Sequence, residues 1–198
     1  MNKEEIKKEF IEIFNKNIQR EGKDKLLEWI KSTDFFDAPA STKHHSVFEG
    51  GLCQHSINVY KRFKRLLVME FGDSWQEKIS DESATIIALM HDICKANTYK
   101  VEFRNVKNDM GVWEKKPYYA FFDTLPYGHG EKSVYIISGF MRLTRDEAMA
   151  INWHMGAYDL RAQSNSSILT QVFRQFPLAF IFHLADYQAT YLDESELK

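Results

Sequence analysis

At 198 residues the chain is long enough for one domain with a proper core and short for two. Hydrophobic residues make up 44% and charged residues 27%, with no low-complexity run, which excludes a disordered chain, and a formal net charge of −2 excludes the strong positive field that draws a protein onto long nucleic acid or an anionic membrane. The opening MNKEEIKKEF lacks the apolar region of a signal sequence, and no segment approaches the ~18 apolar residues of a membrane span, so a cytoplasmic protein without a membrane partner is expected.

Apolar residues at helical intervals (Phe10, Ile13 and Phe14, then Leu26, Leu27, Trp29 and Ile30) predict two packing helices over 3–20 and 22–32 within an N-terminal segment 1–35. Glu21-Gly22 parts them. The loop STDFFDAPASTKHHSVFEGG leads to a long helix from about Leu52 to Phe71. In it, YKRFKRL sets Lys61, Arg62, Lys64 and Arg65 among Tyr60, Phe63, Leu66 and Leu67, and a solvated face is a simpler reading than a phosphate-binding stripe. SDESATIIALMHDICKA is the next helix, with Ser and acidic residues at its start, where orphan N–H groups and the dipole favour them.

From Tyr99 the period changes. YKVEFRN alternates, KNDMG suits a turn and GVWEKKPYYAFF follows, which predicts an inserted β-hairpin within 97–127. Its aromatics (Tyr99, Phe103, Trp113, Tyr118, Tyr119, Phe121, Phe122 and, just beyond, Tyr127) are expected mostly to pack the hairpin, because two strands are marginal without an apolar face. Helices return over about 130–141, 145–155, 166–175 and 178–191; Thr144 and Glu147 have capping-box spacing, and Pro177 divides the last two. The expected fold is mostly α, a single domain over 1–198 with one small hairpin.

Four of the seven histidines, His55, His91, His129 and His154, fall on or at the ends of four predicted helices, and Asp186 lies on a fifth. Helical bundles build metal sites in this way, from inward side chains on facing helices. Imidazole with carboxylate suits Mn, Fe, Co, Ni or Zn. His91-Asp92 directly follows an apolar run, where an ionised carboxylate is costly unless it is paired or holds a cation. The two cysteines, Cys53 and Cys94, each lie two residues from a candidate ligand, a step of about 200° around a helix, and read as packing residues.

The order of these residues, and the fragments GGLCQHS and HDICK, resemble the HD-domain superfamily of metal-dependent phosphohydrolases over about 40–190. The resemblance implies an HD-domain-like helical bundle in which His55, His91, Asp92 and Asp186 bind a first metal, and His129 and His154 join a bridging Asp92 at a second, as in the dinuclear subset of the family. Cys94 stands where HDIGK has glycine, and 36 residues separate Asp92 from His129, the excess being the hairpin, which is a candidate cover for the site.

The activity implied is hydrolysis of a phosphomonoester or phosphodiester of a nucleotide-like small molecule through a metal-bridging hydroxide, with two divalent transition metal ions as cofactors and Asp92 and Lys95 as catalytic residues. Lys95 is either a source of positive charge for phosphate or a helix-terminal lysine satisfying the dipole. Lys43, His44 and His45 in the feeding loop, and Glu131 and Lys132 after His129, are further candidate substrate contacts, Glu131 having an ordinary dipole-pairing alternative. His183, on the face of Asp186, is either a residue that orients a ligand or a core histidine. Two other readings are carried: a di-iron oxygenase similar to myo-inositol oxygenase, which uses the same ligand order, and a non-catalytic nucleotide-binding module.

Overall fold

The structure, a computed structural model, describes residues 2–43 and 45–195, so His44 lies outside the described residues. It is mostly helical, with nine α-helices and one two-stranded antiparallel sheet among the described residues. Helix α1 (Lys3–Asn17) opens on a reciprocal cap in which Asn2 Oδ1 accepts from Glu5 N and Glu5 returns a bond to Asn2 N, and it buries Ile6, Phe10 and Phe14 on one stripe. It ends three residues before the sequence pattern suggests. Ile18 is fully buried in an extended conformation, and that burial, about 1.5–3 kcal/mol, outweighs one more helical turn.

Helix α2 (Lys23–Ser32) starts at Gly22, which has φ +91°, and a Cβ there would lie 1.8 Å from the carbonyl oxygen of Phe140. Helix α3 (Gly51–Phe71) is the long central element, packed on α4 (Asp81–Met90) and α9 (Pro177–Gln188). Helix α4 has no solvated face along most of its length, since every residue from Ala84 to Met90 is buried. Helix α5 (His129–Ser138) packs on α6 (Arg145–Asn152), which reaches α4 and α9. The short α7 (Leu160–Ser164), not anticipated from the pattern, and α8 (Ser166–Gln175) complete that side.

Helix ends account for most differences from the expected spans. The helix predicted over the HDICKA segment stops at Met90: Asp92 leaves the helical region at φ −103°, ψ 14°, and residues 93–95 form a tighter 3₁₀ turn. The helix expected over 145–155 stops at Asn152, and α9 widens after Gln188 into a π-helical turn, Ala189–Asp193.

The hairpin is present as β1 (Tyr99–Lys107) and β2 (Trp113–Phe121), in unbroken register from Tyr99 opposite Phe121 to Lys107 opposite Trp113. Its strands pack chiefly on each other, and most of its side chains are exposed. No single helix among the described residues is long and apolar enough to cross a membrane.

Candidate metal centre

Six side chains converge where α3, α4, α5, α6 and α9 meet: His55, His129 and Asp186 on α3, α5 and α9, and His91, Asp92 and His154 in the turns that follow α4 and α6. His91 and His154 each stand at the C-terminal end of a helix. There the last carbonyls have no intrahelical donor, and each ring supplies one: His91 Nδ1 donates to Ala88 O at 2.9 Å and His154 Nδ1 to Ile151 O at 2.6 Å. With Nδ1 carrying the proton, Nε2 of both rings presents a lone pair inward. His55, in the middle of α3, is fixed in the same sense by Glu194, whose carboxylate lies 2.9 Å from His55 Nδ1. These are the outer partners that orient metal-binding imidazoles.

Asp92 lies at the centre, its side chain 3% exposed, and its two oxygens face different partners. Oδ2 is 3.6 Å from His55 Nε2 and 3.5 Å from His91 Nε2, while Oδ1 is 2.7 Å from His129 Nε2 and 3.4 Å from His154 Nε2. Asp186 completes the first group, with Oδ1 3.2 Å from His55 Nε2 and 4.0 Å from His91 Nε2. The carboxylate thus divides the cluster into an inner half, His55, His91 and Asp186, and an outer half, His129 and His154.

Within the protein alone this arrangement is short of positive charge. His55 Nε2 and His91 Nε2 face each other at 3.3 Å, so at least one needs a proton or a cation between them. His154 Nε2 is buried with no hydrogen-bond partner among the described residues. Burial acts against charge on His55, yet the carboxylates of Glu194 and Asp186 raise it to about 10. Asp92 and Asp186 are held below the usual carboxylate range: burial acts to raise them, and the surrounding cations, Lys95 foremost at Asp92 and His55 at Asp186, overcome it. A divalent cation in each half would satisfy the same atoms. The buried His/Asp cluster can hold metal, and its donors, nitrogen with few oxygens, fit a transition ion better than Mg or Ca.

The other candidates divide. Lys95 Nζ contacts Asp92 Oδ2 at 2.6 Å and faces the cavity beside the cluster. His45 also lines that cavity, its ring 4.7 Å from that of His55 and its Nδ1 2.7 Å from Glu194. His183 donates from Nδ1 to the backbone oxygen of His154 at 2.6 Å, which holds the turn that carries a ligand. Three are not brought to the cavity. Lys43 is exposed and does not line it. Glu131 caps its own helix at Gly128 N and accepts from Arg161 at 2.6 Å. Lys132 is buried against Asp123 at 2.6 Å, in a neighbouring hollow that shares only Lys95 and His129 with the cavity.

Cys53 packs beneath α1, whereas Cys94 Sγ lies 3.3 Å from His129 Nδ1. On a continuous α-helix Cys94 would face away from Asp92, but the 3₁₀ turn at 93–95 redirects its side chain. Burial pushes its thiol up to about 12, so it meets the imidazole uncharged.

Glu194 was not foreseen. It sits in the polar tail LDES, where composition suggests solvent, yet its carboxylate is 2% exposed and also accepts from Ser46 Oγ and Asn58 Nδ2. The π-helical turn before it brings the chain back onto α3, fastened by a two-point bond from Arg62 to Asp193.

The cavity over the cluster measures about 430 Å³. Opposite Lys95 and His129 its wall is aromatic, with Tyr158, Tyr187 and Tyr191 in contact and Tyr158 Oη 3.1 Å from Tyr187 Oη. None of the described hairpin residues lines it, so the hairpin is not its cover. Compared with family models, curated proteins and solved structures, the chain matches none.

Proposed function

We propose that the chain is an HD-type metal-dependent phosphohydrolase acting on a phosphomonoester or phosphodiester of a small, nucleotide-like molecule. The observation that carries this reading is the orientation of Asp92, whose two oxygens face separate imidazole pairs. A carboxylate so placed could serve both halves of a two-cation site. His55, His91, Asp92 and Asp186 would hold one ion, and Asp92, His129 and His154 the other. Two divalent ions there would polarise phosphoryl oxygens and lower the pKa of water at neutral pH.

The remaining work falls to the chain's own groups. Lys95, kept protonated by Asp92 despite its burial, holds a fixed positive charge at the cavity wall, where it would bind a phosphoryl oxygen and offset negative charge developing on it. Cys94 and Asp92 fix the His129 ring from both sides. The tyrosine wall gives a flat apolar surface for the non-phosphate part of a substrate, and a volume of about 430 Å³ falls in the range of small-molecule sites rather than of a polymer groove. The near-neutral charge supports the same exclusion of long nucleic acid.

The test is elemental analysis of protein purified without a metal-affinity tag, followed by a screen of phosphomonoesters and phosphodiesters with Mn, Fe, Co, Ni and Zn. About two ions per chain and turnover lost on chelation are expected. No metal after reconstitution would leave only a binding module, and two irons that consume oxygen without cleaving phosphate would replace hydrolysis with an oxygenase.

A further inference from the structure

The hairpin does not line the cavity over the metal centre, and only Phe121 reaches the adjoining hollow; its side chains are sorted by face. In the observed register, Val101, Phe103, Trp113, Pro117, Tyr119 and Phe121 fall on one side of the sheet, together with Tyr99. The other side carries Lys100, Glu102, Arg104, Glu114 and Lys116. A hairpin with one apolar face normally lays that face on a core. Here Val101 is 59%, Phe103 62%, Trp113 65% and Phe121 64% exposed. The polar face is internally satisfied, with Tyr118 Oη donating to Glu102 and the Arg104 guanidinium over the Tyr118 ring, so it asks for no partner. The apolar face does.

We propose that this face is covered by the same face of a second copy of the chain, the two hairpins stacking about a two-fold axis with the tip of each over the base of the other. Charge, area and extent point to that occupant. The only charged side chains on the apolar face are Lys107 and Lys115, both near the tip. At the other end, Glu49 lies close enough to Tyr119 for its charge to add to burial in raising the phenol, and Glu49 and Asp37 share the single ammonium of Lys3, so these three side chains carry one net negative charge. A two-fold arrangement sets each pair of tip lysines on the partner's acidic base, whereas a parallel stack would oppose lysine to lysine.

Strands of nine residues run about 30 Å, and three aromatics each exposed by about two thirds, with Val101, Pro117 and Tyr119 between them, offer an area approaching the ~800 Å² per partner of a standard interface. A membrane surface is the less favoured occupant, because the apolar side chains run from tip to base, whereas insertion would use the tip alone. The proposal is independent of the reaction catalysed.

Sedimentation equilibrium and light scattering on the full chain test it. The expected mass is twice 23.3 kDa at concentrations above about 10 µM. Val101→Glu with Phe103→Glu, both on solvent-exposed positions, is expected to give a monomer with unchanged far-UV circular dichroism and metal content. Lys107→Glu with Lys115→Glu is expected to weaken association about tenfold or more, and adding Glu49→Lys to recover most of it. A Lys115→Cys, Glu49→Cys chain is expected to form an intermolecular disulfide on mild oxidation. A monomer at about 100 µM would overturn the proposal, as would a dimer indifferent to Val101→Glu with Phe103→Glu, or a monomer that floats with phosphatidylserine vesicles through Trp113.

Discussion

Replacing Asp92 by Asn tests the bridging carboxylate directly. Asn keeps the volume and one acceptor oxygen for Lys95, whose ammonium lies 2.6 Å away, so the packing is preserved while the charge is lost. The outer half then has two neutral imidazoles and no carboxylate, and the inner half keeps His55, His91 and Asp186 with one negative charge instead of two. The outer half has lost its only carboxylate, whereas the inner half keeps a two-histidine, one-carboxylate set that would still bind a divalent ion, but more weakly. His129→Ala, in contrast, dismantles the outer half and leaves the inner one intact.

An ion present at a hundred times its dissociation constant stabilises the fold by about 2.7 kcal/mol, which for a chain of this size moves the melting temperature by roughly 5–10 °C. Chelation is therefore expected to lower Tm by about twice that amount in the parent, by one such step in His129→Ala, and by less than one such step in Asp92→Asn. Elemental analysis should give two, one and at most one ion respectively. If Asp92→Asn keeps two ions, or the parent's melting temperature is indifferent to chelator, the bridging geometry does not hold metal and the reasoning fails.

Glu194→Gln should weaken one ion roughly 10–100-fold in calorimetric titration and leave the other, because His55 is the one candidate ligand that loses its charged partner. Gly130→Ala puts a Cβ 2.3 Å from the Asn152 carbonyl oxygen, so α5 must move off α6; a loss of about 1–3 kcal/mol in urea denaturation, with release of the outer ion, is expected. Glu147, with its side chain 1% exposed, takes two bonds from Arg20 at 2.6 and 2.8 Å, and Glu147→Gln is expected to cost about 3–5 kcal/mol. Burial acts to raise the Glu147 carboxyl, but Arg20 and the Thr144 cap together hold it below its ordinary value. Its contribution is therefore complete above the unfolded carboxyl's range and fades as pH falls toward the lower folded value, so the parent and Glu147→Gln stabilities should converge on acidification below about pH 4.5.

What could be read in the sequence depended on whether the signal was local. The Thr144 and Glu147 spacing marks the start of α6, and the structure shows the reciprocal cap there. The histidines were visible because each stands beside a helix-forming run, and the structure brings His55, His91, His129 and His154 together around Asp92. The end of α4 was not legible: a helix buried on every side has no polar stripe whose interruption marks its end, and the 3₁₀ turn that aims Cys94 at His129 was lost with it. Glu194 was hidden for the opposite reason, since its polar neighbours describe a solvated tail and only the long-range return onto α3 buries it. Alternation identified the hairpin, but which of its aromatics share a face came only from the observed register, and a period of two does not say what that face rests on.

The two halves of the centre differ in access. His55, His91 and His154 are sealed at 1% exposure or less, whereas His129 is 31% exposed at the cavity mouth. Of the inner half only Asp186 is open, at 14%, so an ion held there would reach the cavity past that carboxylate, whereas an ion in the outer half would have the more exposed His129 beside it. Release on dilution into chelator should therefore be biphasic, with the outer ion lost first. Exchange on the bench, and loading in the cell, would then be ordered events. The last ion to arrive would be the one most open to replacement by whichever metal is abundant.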